Sequence, residues 1–352
     1  MACVHIALFR KDRTNGQPKE SKVSKVMVTG GAGYIGSHTI RQLQQSGYDV
    51  VVVDNLSRGY RAALPEGITF YHTDIGDTQR IQEICSQEQV NAVIHFAALI
   101  EVGISQKEPF SFYENNVKQT LGLLAGMRQA GVRRMIFSST AAVYGVTEPK
   151  ALREEDPKAP ASVYGRSKYM IEQILSDLSM VGELDVIALR YFNAAGADVS
   201  GEIGESHRPE THLVPLILQV ALGQRPSISV FGNDYPTPDG TCIRDYIHVT
   251  DLAEAHVMAL HYLEQGGTSD AFNVGSGCGY SVQEVIACCR EVTGHPIPAH
   301  HAPRRDGDVP VLLADTQRIQ QALRWLPQYN LRQIVETAWR WHSRHPHGFP
   351  LP

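Results

Sequence analysis

The stretch from Lys25 to Asp54 restricts the fold more than any other part of the chain: KVMVT, then GGAG, then YIGSHTIRQLQQSG, then DVVVVD. A β-branched run, a glycine-rich turn, an amphipathic segment and a second β-branched run describe a strand, a tight loop, a helix and another strand. The rhythm recurs in VNAVIHFAA, RRMIFSS and LDVIALR. Near-continuous apolar strands separated by helical segments require a parallel sheet covered on both faces. Right-handed crossovers between them give an α/β, doubly wound fold. After about Tyr191, proline- and glycine-rich loops such as HRPETHLVP and GNDYPTPDG loosen the rhythm. Fewer strands and a second, smaller α/β domain are expected there. The expected division is a polar extension over 1–24, a first domain over 25–193 and a second over 194–352, with segment exchange between the two.

The chain has 352 residues, more than one average domain. Its 37 acidic and 32 basic residues leave no cationic surplus, so neither nucleic acid nor a membrane surface is an expected partner. Six cysteines lack paired C-x-x-C spacing, and the adjacent Cys288 and Cys289 suit a helix face. No metal is expected, and a reducing, cytoplasmic setting fits. The first apolar stretch is too short to span a bilayer and lacks the order of a signal peptide.

Gly30, Gly33 and Gly36 stand directly after the first strand and at the start of a helix. Glycines there permit a tight turn and let backbone N–H groups approach a pyrophosphate, whose charge the helix N-terminus favours. Taken alone the triplet is weak. Asp54, 18 residues after Gly36 at the end of the second strand, is spaced as a ribose-binding acid should be. Together they indicate a Rossmann-like dinucleotide site over 25–193. The Asp54 carboxylate favours a free 2′-hydroxyl over a 2′-phosphate, hence NAD over NADP, although Arg58 nearby could tolerate the phosphate.

The spacing G-x-x-G-x-x-G, with Asp74 and Ile75 after a third strand, Phe96, Ala97 and Ala98 after a fourth, and Asn115 in NNV, resembles the extended short-chain dehydrogenase/reductase family. The resemblance implies that these residues, with Tyr34, Ile35, Asn55 and Phe192, line the cofactor. It also gives meaning to YGRSK at 164–168, which by itself is an ordinary i, i+4 pair on one helix face. In the family, a strand-end hydroxyl (here Thr140), the tyrosine (Tyr164) and the lysine (Lys168) converge on the nicotinamide. A free tyrosine titrates near pKa 10, and bringing it near 7 takes about 4 kcal/mol. A lysine ammonium at about 5 Å supplies about 3 kcal/mol at an effective dielectric of 20, and the oxidised nicotinamide adds charge. The expectation is therefore a phenol acidified by its lysine.

Thr140 is followed by Ala141 and Ala142 where nucleotide-sugar dehydratases carry an Asp-Glu pair; two methyl groups move no protons. The segments YFNAAGA, ETHLVP, VFGNDYPTPDGTCIRDYIHVTDLA, APRRDGD and WRWHSRHPHGF resemble the UDP-hexose 4-epimerases of that family, from residue 25 to the end. This implies a UDP-sugar-binding domain over 194–352. Asn193, Arg244 and Arg305 would meet the diphosphate, Phe231 the uracil, Leu213 the base pocket and Asp308 the ribose. It also implies C4 epimerisation of UDP-glucose and UDP-galactose, an activity of galactose metabolism, through a transient 4-keto sugar and bound NAD. A homodimer built on helices near 109–131 and 161–181 is implied as well. Ile100 stands where the family often has a cofactor-contacting lysine. Leu312 stands where relatives vary between tyrosine and a small residue, which leaves N-acetylated UDP-sugars open. The alternatives are a UDP-N-acetylhexosamine or UDP-glucuronate epimerase and a non-catalytic NAD-binding regulator.

Overall fold

A computed structural model describes residues 24–145, 150–305 and 308–350 of the chain; the expected extension over 1–24 lies, apart from Ser24, outside them. The first half runs β1 (Lys25–Thr29), α1 (Tyr34–Gln45), β2 (Asp49–Asp54), β3 (Thr69–His72), α2 (Thr78–Gln87), β4 (Ala92–His95), α3 (Val102–Ser105), α4 (Pro109–Phe112), a π-type segment (Tyr113–Lys118), α5 (Gln119–Gln129), β5 (Arg134–Thr140), β6 (Ala151–Leu152), α6 (Val163–Met180) and β7 (Asp185–Tyr191). It continues with β8 (Asn193–Ala195), α7 (Leu213–Ala221), β9 (Ile228–Phe231), β10 (Ile243–His248), α8 (Val249–Glu264), β11 (Asp270–Val274), β12 (Gly279–Ser281), α9 (Val282–Thr293), β13 (Ala299–Ala302), β14 (Val311–Ala314), α10 (Gln317–Leu323) and α11 (Leu331–Arg344).

Seven strands form one sheet in the order β3-β2-β1-β4-β5-β7-β11, every neighbouring pair parallel. Side chains on a strand alternate between faces, and the two cores follow that period. Val26, Val28, Val50 and Val52 pack with Ile40 and Leu43 of α1 and Leu252 and Leu260 of α8. Met27, Val51 and Val53 face the other way, toward Ile81 and Ile84 of α2, Leu123 and Met127 of α5, and Ile171 and Leu175 of α6. Each such buried side chain contributes about 1.5–3 kcal/mol, so a one-residue register slip would expose both cores at once. The winding reverses between β1 and β4. That switch point opens a crevice at the carboxyl ends of the strands, where doubly wound sheets bind ligands.

Later segments return to this sheet: α8 packs on α1, and β11 pairs with β7. A second sheet has the order β12-β10-β14-β6, with β8 on β10, and a two-stranded sheet joins β13 to β9. Helices α7, α9 and α11 cover a third core around Ile217, Ile286 and Ile334. The sequence led us to expect fewer strands after Tyr191, but the described residues hold seven there, β8 to β14. They span three to six residues each, too short to stand out from loops by periodicity.

Among the described residues no helix is long and apolar enough to cross a membrane.

Candidate active site

The glycine loop is shaped by close approach. Gly30 has φ +70°, and a Cβ on it would sit 2.5 Å from the Ala97 nitrogen and 2.9 Å from the Phe96 carbonyl carbon. Only glycine meets both demands, so β1 and β4 are drawn together at the switch point. A Cβ on Gly36 would meet the Gly30 oxygen at 2.4 Å, which lets the first turn of α1 lie on the loop. Gly33 differs: its φ is −80°, and beside its Cβ direction lies only the Gly30 oxygen, at 3.2 Å. It is the N-cap of α1, with no side-chain cap and no acid in the first turn. Backbone N–H groups without a capping side chain, beside open space at a helix N-terminus, suit a pyrophosphate. Tyr34 is turned away, its hydroxyl donating to the Gly196 carbonyl at 2.7 Å, and Ile35 packs on the core.

Asp54 closes β2, buried, with one carboxylate oxygen accepting from Ala32 N at 2.9 Å and the other from Leu56 N at 2.8 Å. Burial raises its pKa above the ordinary carboxylate value, and these two bonds oppose the rise. Each oxygen keeps a lone pair for a ribose hydroxyl. Asn55 donates to Asp74 at 2.6 Å, joining the ends of β2 and β3, and Ile75 is buried below them. Arg58 is paired with Glu101 at 3.1 Å, so its cation is already engaged. Phe96, Ala97 and Ala98 are half-buried along the mouth. Asn115 donates to Asn116 at 3.0 Å within the π-type segment, an irregularity common at functional sites. Phe192 is buried beside Tyr144.

The three candidate catalytic side chains come from two adjacent elements. Thr140 is the last residue of β5. Tyr164 and Lys168 sit in the first two turns of α6, which starts where it does because Ser162 caps it, its Oγ accepting from Gly165 N at 3.0 Å. Lys168 Nζ donates to the Ser138 carbonyl at 2.8 Å and lies 5.0 Å from the Phe137 ring centre. Tyr164 is buried and hydrogen-bonded to Thr140.

The protonation order departs from the expectation of an acidified phenol. Burial pushes Tyr164 up to about 12, opposed only by the Thr140 bond, and pushes Lys168 down to about 7, opposed by the Glu172 carboxylate. Desolvation penalises the charged form of both groups, and here it outweighs the Thr140 bond and the Glu172 charge. In the chain alone the phenol therefore stays protonated at neutral pH.

Beneath the pair lies a buried network that the sequence did not reveal. Glu172, one turn beyond Lys168, receives two bonds from Arg190 Nε at 3.0 and 3.2 Å and one from Nη2 at 2.6 Å, and it also accepts from the Ser139 hydroxyl. Arg190 Nη1 donates to the Tyr144 hydroxyl at 3.1 Å, which donates to Asn273 at 2.6 Å. Strands β5, β7 and β11 are thereby locked to the helix that carries Tyr164. Tyr191 and Ser138 share a hydroxyl contact on the same rim.

On and beside the smaller sheets, Arg305 lies 4.0 Å over the Phe231 ring, and Arg244 Nη2 meets Asp308 at 3.3 Å. Arg244 also donates to the Val309 carbonyl at 2.8 Å, and Leu312 is its register partner across β10 and β14. Asp245 is not its partner, being buried against Ser276, Gly277 and Ala314. Asn193 spends its amide on the Asp245 carbonyl at 2.9 Å. Leu213 opens α7 and packs on the third core.

Fold and site define the class: a doubly wound nucleotide-binding protein with an uncapped glycine loop and a buried Thr-Tyr-Lys set at the carboxyl end of its large sheet. The chain belongs to the NAD dependent epimerase/dehydratase family, whose profile matches residues 26–275, from the first strand of the large sheet just past its last. It is 51% identical over 325 residues to a UDP-glucose 4-epimerase of Halalkalibacterium halodurans, covering 92% of this chain and 97% of that one. A crystal structure of a UDP-glucose 4-epimerase, 49% identical, superposes with a TM-score of 0.91 over 93% of this chain and all of the other. Another, from Bifidobacterium longum in complex with NAD+ and UDP, is 37% identical with a TM-score of 0.87, covering 93% of this chain and 100% of its own.

Proposed function

We propose that the chain is an epimerase that interconverts UDP-glucose and UDP-galactose at C4 with tightly held NAD. The observation that carries this is the buried Thr140–Tyr164–Lys168 set, at the same end of the sheet as an uncapped glycine loop. In this reading residues 25–193 hold NAD and 194–352 the UDP-sugar, while α8 and β11 return to the first unit. NAD, when bound, supplies a hydride acceptor and a positive ring beside the phenol. Tyr164 takes the proton of the sugar 4-hydroxyl, Thr140 holds that oxygen by hydrogen bond, and Lys168, held by the Ser138 carbonyl, adds positive charge when it is protonated. Once the carbon is a ketone, the sugar must present its other face, and Tyr164 returns the proton. Arg244, Arg305, Asp308 and Phe231 anchor the nucleotide so that only the sugar turns. The chemistry needs a firm grip on UDP and a loose one on the hexose.

Leu312 packs with Tyr144 and Phe192, an apolar surface that suits an uncharged hexose better than a glucuronate carboxylate. A regulator has no need of a desolvated lysine. We therefore expect purified protein to convert UDP-galactose to UDP-glucose, read through a coupled dehydrogenase, with no NAD added to the first step. No product would remove the catalytic reading. Running UDP-N-acetylglucosamine on native protein and on Leu312→Tyr in the same assay assigns the gate: the variant should lose N-acetyl turnover, and equal activity would acquit Leu312. Exposed Phe110, Leu121 and Met170, on α4, α5 and α6, support a homodimer through these helices. Light scattering should give twice the 38.9 kDa of one chain, and a monomer would exclude it. Action in the cytoplasm, where free thiols persist, fits the same reading.

A further inference from the structure

Between the bridge residue Gly204 and the start of α7, the chain reads E-S-H-R-P-E-T-H, residues 205 to 212. One ligand atom each from Glu205, His207, Glu210 and His212 lies within 4.8 Å of the other three. Both histidines turn Nδ1 inward. His212 Nδ1 is 2.8 Å from Glu205 Oε1 and 3.0 Å from Glu210 Oε1, while His207 Nδ1 is 3.1 Å from Glu205 Oε1 and 3.9 Å from Glu210 Oε2. Four ligands at about 2.0–2.2 Å from a tetrahedral ion stand about 3.3–3.6 Å apart. The observed separations bracket that edge, so small movements of the side chains would admit an ion.

The charges argue the same way. The Glu205 and Glu210 side chains are only 3% and 7% exposed. Among the described residues neither has a lysine or arginine within salt-bridge distance; their partners are the two imidazoles. Two buried carboxylates beside two imidazoles carry an excess negative charge that a protonated His212, its pKa raised by both glutamates, offsets only in part. One divalent ion with two neutral imidazoles would balance them. The cluster is also held in place: Thr211 N and His212 N each donate to Glu210 Oε1 at 2.8 Å, and Trp341 Nε1 donates to the Glu205 carbonyl at 3.0 Å.

We propose that Glu205, His207, Glu210 and His212 bind one divalent transition-metal ion of the zinc class. Nitrogen and carboxylate donors in a closed set of four describe a structural site rather than a catalytic one. Its position gives it a purpose. The His207 ring meets the Tyr34 ring edge-on at 6.3 Å, and His212 is the N-cap of α7, just before Leu213. The ion would fix the segment that leads into α7, against which Tyr34 of the helix that follows the glycine loop packs. No cysteine spacing marks this site, so the sequence carries the expectation of no metal; the run of Glu and His at 205, 207, 210 and 212 is the signal in the chain.

The test uses full-length protein purified without a polyhistidine tag, stripped with chelator and titrated with Zn2+ against a chromophoric competitor. One equivalent should bind at micromolar or tighter affinity, and the unfolding midpoint should rise with zinc and fall again with chelator. The His207→Ala/His212→Ala variant should bind at least tenfold more weakly and show no zinc-dependent shift. If that variant does not fold, Glu210→Gln is read in its place. Absence of stoichiometric binding by the native protein, or equal binding by the folded variant, as exposed Cys278 would give, overturns the proposal.

Discussion

Tyr164→Phe is expected to lower kcat by about 10²–10⁴-fold, the usual contribution of a positioned acid or base. KM for the UDP-sugar should change little if, as proposed, the nucleotide is anchored by residues of the second unit and not by Tyr164. The phenyl ring keeps its place among Phe112, Val163 and Ala142, so the variant should fold. Turnover within threefold of native would remove Tyr164 as the proton carrier. Lys168→Met gives the companion result, with a pH signature. Burial depresses the lysine pKa from 10.5 to about 7 in the folded chain. Between those values the unfolded chain binds a proton that the folded chain does not, so stability rises with pH across that window. Methionine has no such group. The variant should lose turnover yet gain stability relative to native protein, most clearly at or below pH 7 and vanishing near pH 10.5. A pH-independent difference would mean that Lys168 keeps its ammonium when folded.

Glu172→Ala should be the most destabilising single change near the site. It would leave the Arg190 guanidinium, whose side chain is 7% exposed, with only the Tyr144 hydroxyl and the Glu154 carbonyl. Removing one partner of a buried pair costs about 3–5 kcal/mol. Urea unfolding should show that loss, and Glu172→Gln, which keeps a hydrogen-bonding side chain, should lose less. Activity should fall as well, because the Glu172 charge is what opposes the downward drift of Lys168. A loss below about 1 kcal/mol, the value of an exposed pair, would show that the pair is solvated in solution.

The parts of the molecule legible in its sequence are those built from neighbours. β1, α1 and β2 fall within a residue or two of their hydrophobic runs, and the loop between them follows from glycine spacing, because turn geometry and helix N-termini are local physics. Tyr164 and Lys168 share a helix face by periodicity alone. Beyond Tyr191 the strands are short and the loops long, and periodicity weakens as a guide.

What the chain order could not give are contacts that exist only once the sheet has assembled. Arg190 meets Glu172 because β7 lies beside β5 under α6, and Asn273 joins them because β11, from far down the chain, adds to β7. The protonation order of the pair belongs here too. The sequence by itself determined which groups face one another across a helix turn, but how much water remains around them depends on everything packed above. Only the tertiary structure decided that, and desolvation pushed Tyr164 up and Lys168 down against the direction that neighbouring charge alone predicts.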